Sequence, residues 1–187
     1  MNIKSIALNV LLLTFGLTLN VNAQNNGGGK HFVLNLIGTG HQYQSTVPDI
    51  DGDGVDDDAI CFDVALVNIK NQQIIGSATD CLASITPGDT GLALVGTSYF
   101  NLPSGTLITR GNTTVSPVLH DTITPKGQKM THITGASGEG NAIIGGTGRF
   151  EYATGTARLS GMVDMTNFSG VDGDPISFDC IFVIDLD

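Results

Sequence analysis

The 187-residue chain carries 18 Asp and Glu residues against 8 Lys and Arg residues, which gives a formal net charge of −10 at pH 7. This acidity argues against nucleic acid and anionic membrane surfaces as partners. Glycine is abundant, with 25 residues, whereas Glu occurs only as Glu139 and Glu151, so the composition favours strands and tight turns over helices.

The N-terminal segment has the three parts of a secretory signal peptide. Lys4 supplies the early positive charge, an apolar stretch runs from Ile6 to Leu19, and small residues follow in Val21-Asn22-Ala23. A membrane-anchoring helix is the alternative, but the stretch is shorter than the ~20 residues that a span needs and contains polar residues. We therefore predict a signal peptide over 1–23, export to the periplasm or the extracellular medium, and no membrane span in the mature chain.

The rest of the chain divides into a short leader and one domain. Residues 24–30 are rich in Asn and Gly and predict a flexible leader, whereas residues 31–187 suffice for a single compact domain. Apolar runs separated by Gly, Pro, Asn and Asp clusters lie at His31–Ile37, Ile60–Ile69, Gln73–Ser84, Gly91–Asn101, Gly105–Gly111, Lys129–Thr134, Glu139–Gly145, Thr156–Asn167 and Ile176–Leu186. Several runs alternate apolar and polar residues, as strands do, and none shows a helical period. We predict an all-β fold, a small antiparallel eight-stranded barrel, with a two-sheet sandwich as the alternative.

An acidic segment between the first two runs has the spacing of a calcium loop. Ca²⁺ binds six to eight oxygen ligands, and acidic residues at alternate positions can converge on one ion. The candidate ligands are the carboxylates of Asp49, Asp51, Asp53, Asp57 and Asp58 and the backbone carbonyl of Val55. Gly54 stands where an EF-hand-type loop needs its sharp turn.

The loop departs from the EF-hand pattern at its end. Position 12, where a bidentate Glu closes an EF-hand site, is Ile60, and Asp58 can substitute as in the shorter loops of thrombospondin- and dockerin-like repeats, which this stretch resembles. The alternative is a bare solvated turn, although six Asp residues within Asp49–Asp58 repel one another unless a cation neutralises them. We expect a structural calcium ion between strands.

One hairpin can be placed by its turn. A turn centred near Asn71 between Ile60–Ile69 and Gln73–Ser84 pairs Cys61 with Cys81. Opposed residues of antiparallel strands approach disulfide distance, and an exported protein meets an oxidising compartment. We predict a Cys61–Cys81 disulfide, the alternative being buried thiols. Cys180, on the apolar face of the last run, is expected in the core and not as a nucleophile.

A glycine-rich segment carries a family resemblance. Ala142–Gly155, which reads A-I-I-G-G-T-G-R-F-E-Y-A-T-G, resembles the V-V-G-G-T-G-x-F-x-x-A-x-G segment of plant dirigent proteins and their allene oxide cyclase relatives. Ile75–Cys81 and Tyr99–Leu107 resemble two further segments of these proteins in the same order. By these segments the chain resembles bacterial secreted proteins of the allene oxide cyclase barrel type. Gly145, Gly146 and Gly148 are expected to form a turn with positive φ, and Phe150 to plug the barrel.

The resemblance implies a function as well as a fold. Such barrels hold an apolar or aromatic substrate in a central pocket, often as homodimers or homotrimers, and steer a cyclisation or coupling by orientation, without an organic cofactor. The polar residues of the family pockets are not matched here, because Arg149, Thr154 and Asn35-Leu36 stand at the corresponding places. The catalytic residues are therefore not assigned by the resemblance.

Two functions follow as expectations. The first is a secreted barrel that binds a small apolar or aromatic molecule and guides a cofactor-free cyclisation or isomerisation. The second is a non-enzymatic binding or structural module whose barrel core is filled by its own side chains. An open cavity with polar groups such as Asn35, Asp63 or Tyr99 pointing inward favours the first.

Overall fold

The computed structural model describes residues 30–117, 123–135 and 141–187. The predicted signal peptide, 1–23, and the predicted leader up to residue 29 lie outside the described residues. The strands are β1 (His31–His41), β2 (Tyr43–Val47), β3 (Asp57–Val67), β4 (Ile74–Pro87), β5 (Leu92–Leu102), β6 (Gly105–Pro117), β7 (Met130–Gly135), β8 (Ala142–Gly146), β9 (Gly155–Asp164) and β10 (Pro175–Leu186). A single 3-10 turn, Gly148–Phe150, lies between β8 and β9.

The strands close into a barrel. Antiparallel pairing runs in the order β1-β10-β9-β7-β6-β5-β4-β3, and β3 pairs with β1 to complete the ring. β2 continues β1 along β3, while β7 and β8 share the position between β6 and β9. The ten strands therefore occupy eight positions, which confirms the predicted eight-stranded antiparallel barrel over the sandwich.

Strand alternation separates the inside of the barrel from its outside. On β10 the buried residues Phe178, Cys180 and Phe182 point to the interior, whereas Asp179 between them is exposed. The same period of two recurs on β3, where Phe62 and Val64 are buried in the core and Asp63 is exposed. This pattern is the one that a pleated strand with one buried face produces.

One half of the interior is packed by side chains. We call it the closed half, and its members are Leu34, Leu36, Leu66, Ala78, Phe100, Leu107, Phe150 and Ile184, all buried. Phe100 meets Phe182 edge-on at 4.9 Å between ring centroids, and Phe150 lies 6.3 Å from Phe32. Phe150 thus fills this half as expected.

The glycine-rich turn differs in detail from the expectation. Of the three glycines, only Gly148 has a positive φ, 57°. Gly146 is required for a different reason, because a Cβ there would lie 2.5 Å from the carbonyl oxygen of Phe150 and 2.6 Å from that of Thr106. The segment therefore needs glycine for close approach as much as for backbone freedom.

Within the described ranges, no helix has the length and apolar character needed to cross a membrane.

Candidate functional site

The other half of the barrel interior holds a cavity, which we call the open half. Its exposed lining residues, Ile85 and Leu92, place its mouth at the end of the barrel where β3, β5 and β10 begin. It is lined by Ile60, Asp80, Leu82, Ile85, Leu92, Leu94, Gly96, Ser98, Thr109, Arg110, Gly111, Thr113, Val115, Ile133, Gly135, Asn141, Ala157, Leu159, Val163, Met165, Phe168, Ile176, Phe178 and Phe182. Its volume is about 90 Å³, counted as space that the centre of a water molecule can reach. One water needs roughly 10–15 Å³ on that measure, so the cavity can take several waters or a small organic molecule.

Two glycines on neighbouring strands line the cavity. Gly96 on β5 and Gly111 on β6 are directly paired and both line it. At Gly96 the nearest atom to an added Cβ would be the Thr113 hydroxyl oxygen, at 3.2 Å. At Gly111 the added Cβ would lie 1.8 Å from Oδ1 of Asn141, so the Asn141 amide occupies the space that a side chain would take. The two glycines thus contribute no side chain to the lining, and Thr113 and Asn141 take the space beside them.

A small polar group interrupts the apolar lining. Asp80, Ser98 and Thr109 are consecutive partners across β4, β5 and β6, and all three are buried. The next row inward on these strands, formed by Ala78, Phe100 and Leu107, belongs to the closed half. The polar group therefore lies at the deepest lining positions of these three strands.

Asp80 is the chemically distinctive residue of this group. Its carboxylate Oδ1 accepts a hydrogen bond of 2.6 Å from the hydroxyl of Ser98. Burial raises the pKa of Asp80 to about 6, and the hydrogen bond from Ser98 offsets part of that rise. A carboxyl group with a pKa near neutrality can both take and give a proton under physiological conditions.

Cys180 lies on the inward face of β10, as expected for a core residue. Its thiol is 3.9 Å from the carbonyl oxygen of Met162. Burial, together with the charge of Asp80, raises the pKa of Cys180 to about 12. Since the thiolate is the nucleophilic form, this thiol is inert at neutral pH.

Three polar residues that would favour ligand binding if they pointed inward, Asn35, Asp63 and Tyr99, lie outside the cavity. Asp63 is exposed on the outer face of β3, where it accepts hydrogen bonds from Thr79 and Tyr43. Tyr99 packs on the outer face among the neighbours of the disulfide, and Asn35 lies opposite to the inward residues of β1. These three side chains therefore do not line the cavity, because each alternates with the inward-facing residues of its strand.

The outer wall of the open half is braced by a row of paired residues. The predicted Cys61–Cys81 disulfide is present, joining directly opposed residues of β3 and β4. The row continues through Thr97 on β5 to Arg110 on β6. A second, smaller core lies on this outer face and consists of Cys61, Cys81, Val47, Ala59 and Ala83. Ile50, in the segment that connects β2 to β3, packs against it.

Arg110 ties the acidic loop to this wall. We use acidic loop for residues 48–56, which connect β2 to β3. The Arg110 guanidinium donates hydrogen bonds to the carbonyl oxygens of Pro48 and Asp49, the second at 2.9 Å, and also to the hydroxyl of Thr97. Charged donors make stronger hydrogen bonds than neutral ones, so one side chain holds the start of the loop across several strands.

The candidate metal ligands are partly gathered. Asp49, Asp51 and Asp57 can each offer a carboxylate oxygen, and these oxygens lie within 4.8 Å of one another. Asp53 and Asp58 lie outside that group, and Val55 is exposed.

Backbone groups of the loop fold around these carboxylates. Asp49 accepts hydrogen bonds from the amides of Gly52 and Gly54, at 2.7 and 2.8 Å, and Asp57 accepts one from Ile50. The bonds from Gly54 and Gly52 lower the pKa of Asp49, so this carboxylate stays ionised. A carboxylate has about four lone-pair sites, so these oxygens keep capacity for a cation. The residues present fit a hard cation such as Ca²⁺.

Solved structures that are similar to this chain include the following two. One is a pyocyanin demethylase, 14% identical, with a TM-score of 0.36, over 80% of this chain and 98% of that chain. The other is a pterocarpan synthase dirigent protein, 20% identical, with a TM-score of 0.36, over 85% of this chain and 87% of that chain. No protein-family model and no curated protein matches the chain. Neither structural similarity is strong enough to support an inference about the cavity.

Proposed function

We propose that the protein binds a small apolar or aromatic molecule in the open half of the barrel. The observation that carries this proposal is the cavity itself, which is walled by Leu, Ile, Val and Phe side chains and has one polar group at depth. A concave apolar site with a few convergent polar groups is the usual form of a small-molecule site.

The filled-core alternative fits the closed half alone. There the side chains of β1, β3, β5 and β6 pack against one another, as in small barrels that bind nothing. In the open half the side chains leave a cavity of about 90 Å³, so packing alone does not account for that half.

Guidance of a cyclisation or isomerisation is the activity this arrangement would support. A walled cavity restricts the conformations of an apolar substrate, which favours one ring closure over others. Asp80, with a pKa of about 6, would be the group that moves a proton during such a step. The protein would act after export, where its disulfide is stable.

The binding proposal is tested by titration with N-phenyl-1-naphthylamine, a neutral dye that fluoresces in apolar surroundings. We expect saturable binding to the wild type and at least about tenfold weaker binding to Leu94→Trp, which fills the lining. The matched control is Ile74→Trp, because Ile74 is 73% exposed and does not line the cavity. Absence of saturable binding, or equal effects of both variants, would favour the filled-core module.

We also propose that Asp49 and Asp51 of the acidic loop, together with Asp57 at the start of β3, bind a structural calcium ion. The ion would neutralise the mutual repulsion of the clustered carboxylates and stiffen the loop that covers the disulfide. Calcium should raise the melting temperature relative to EDTA, and Asp51→Asn should remove the rise whereas Asp89→Asn, in a different loop, should keep it. An unchanged melting temperature with calcium would contradict this proposal.

A further inference from the structure

Asp80 is a buried acid without a basic partner among the described residues. It is only 7% exposed, and the Ser98 hydroxyl is the hydrogen-bond donor that the described part of the chain supplies to it. Arg110 is the one basic residue in the lining, but its guanidinium points out of the barrel to the acidic loop. The cavity therefore contains an acid and lacks a cation from the described strands.

The lack of a cation beside Asp80 has an energetic consequence. An ionised carboxylate in apolar surroundings is costly unless an opposite charge and hydrogen-bond donors compensate the lost water. One neutral hydroxyl does this only in part. A ligand that brings its own positive charge and N–H donors would supply the missing compensation.

Other ligand charges fit less well. An anionic ligand would be repelled by Asp80 at short range, in a medium of low dielectric where that repulsion is strong. A neutral ligand would leave the carboxylate uncompensated. The cavity therefore discriminates between ligands by their charge.

The loops around the mouth of the cavity also carry negative charge, like Asp80 inside it. The loop between β4 and β5 carries Asp89, the loop between β9 and β10 carries Asp172 and Asp174, and the acidic loop lies at this end too. Lys126 and Lys129 are the basic residues described in the loop that leads into β7. A negative potential around an opening attracts cations and speeds their entry.

Among the described residues, the groups that face Asp80 do not offer a competing cation. From β5 it meets the neutral hydroxyl of Ser98, its paired residue on β3 is Phe62, and the titratable neighbour on β10 is Cys180. Cys180 stays protonated and neutral at physiological pH because its pKa is raised to about 12. The charge of this part of the cavity is therefore set by Asp80.

We infer that the cavity is selective for apolar organic amines, with the ammonium group bound to Asp80 and the apolar body held among Leu82, Leu94 and Phe178. This inference rests on the proposed function, since it names the ligand class of the same cavity. It does not depend on the calcium loop.

A pair of ligands of equal shape tests it. 1-Naphthylmethylamine is a cation at neutral pH, and 1-naphthalenemethanol is its neutral counterpart. By calorimetry at about pH 7.5, the wild type should bind the amine at least about tenfold more tightly than the alcohol. Asp80→Asn should reduce this preference to less than about threefold, while Asp179→Asn, the same change at an exposed outer position of β10, should keep it.

The outcomes separate the two proposals. Equal or tighter binding of the alcohol to the wild type overturns amine selectivity and leaves the cavity proposal standing. A preference that survives in Asp80→Asn also overturns it, because the acidic mouth would then be its source. If neither ligand binds while N-phenyl-1-naphthylamine does, amine selectivity alone fails, and if none of the three binds, both proposals fail.

A pH series on the wild type keeps the test independent of the variant's folding. The amine stays protonated between about pH 5 and pH 7.5, whereas Asp80 takes up a proton over that range. The preference for the amine should therefore shrink at least about threefold toward pH 5. A preference that does not change with pH overturns the role of Asp80.

Discussion

Ser98 donates a 2.6 Å hydrogen bond to Asp80 inside the barrel, and no basic side chain of the described strands completes the pair. This pair on β4 and β5 marks the depth at which apolar packing gives way to an open cavity. Because Ser98 compensates the buried charge of Asp80 only in part, we expect measurable effects on the stability of the fold and on ligand binding.

Asp80 should make the protein less stable at neutral pH than at acidic pH. Its pKa rises from 3.8 when exposed to about 6 in the fold, so its contribution to stability is full below about pH 4 and is lost as the pH rises through 6. Asp80→Asn keeps an oxygen that can accept from Ser98, and it should increase the free energy of unfolding above about pH 7 by about 2–3 kcal/mol. The gain should shrink toward pH 4.

Urea unfolding at several pH values measures this effect. Asp179→Asn serves as the control, because Asp179 is exposed, and its effect should not follow the same pH profile. A uniform loss of stability in Asp80→Asn at every pH would show that the carboxylate is stabilised by partners other than Ser98.

The disulfide should contribute strongly to the outer wall. It joins residues 20 positions apart, and closing a loop of that size stabilises a fold by about 3 kcal/mol, chiefly through the unfolded chain. Replacing both cysteines, Cys61→Ala with Cys81→Ala, should lower the free energy of unfolding by about 2–4 kcal/mol in urea. A reductant should destabilise the wild type and leave the double variant unchanged, and equal effects on both proteins would count against this assignment.

Arg110 should order the acidic loop. Replacing it with Met keeps the length of the side chain and removes the donors to Pro48, Asp49 and Thr97. We expect a loss of about 1–3 kcal/mol and faster amide hydrogen exchange in residues 50–56, because hydrogen bonds from charged groups are lost. Arg158→Met, at an exposed position on β9, is the control. Unchanged exchange in the loop of Arg110→Met would exclude the tethering role.

The two paired glycines should differ in their tolerance of a methyl group. At Gly111 an added Cβ meets the Asn141 side chain at 1.8 Å, whereas at Gly96 the closest atom is 3.2 Å away. Gly111→Ala should therefore cost about 1–3 kcal/mol, and Gly96→Ala clearly less. Thermal unfolding of both variants decides this, and equal losses would mean that Asn141 moves aside freely.

The sequence determines the register of β3 and β4 well, because the turn at Asn71 and the alternation of Phe62 and Val64 agree. That register places Cys61 opposite Cys81, and it also places Asp80 opposite Phe62 on the inward face. The inward position of Asp80 could therefore have been read from the same hairpin.

The cavity itself could not be predicted from turns and strand alternation. Whether space remains beside Asp80 depends on Gly96 and Gly111 and on residues of five further strands, and the relative depth of these residues follows from barrel closure. Alternation assigns a face to each residue and says nothing about depth along the barrel axis. For that reason the packed and open halves could not be told apart in the sequence.

Methyl NMR spectra recorded during titration with N-phenyl-1-naphthylamine test the central claim most directly. Binding in the open half should shift the methyl signals of Leu82, Leu94 and Val163, which line the cavity, and leave those of Leu34 and Leu66 in the closed half nearly unchanged. Shifts confined to surface methyl groups such as Ile74, or no saturable shift at all, would contradict a ligand-binding barrel.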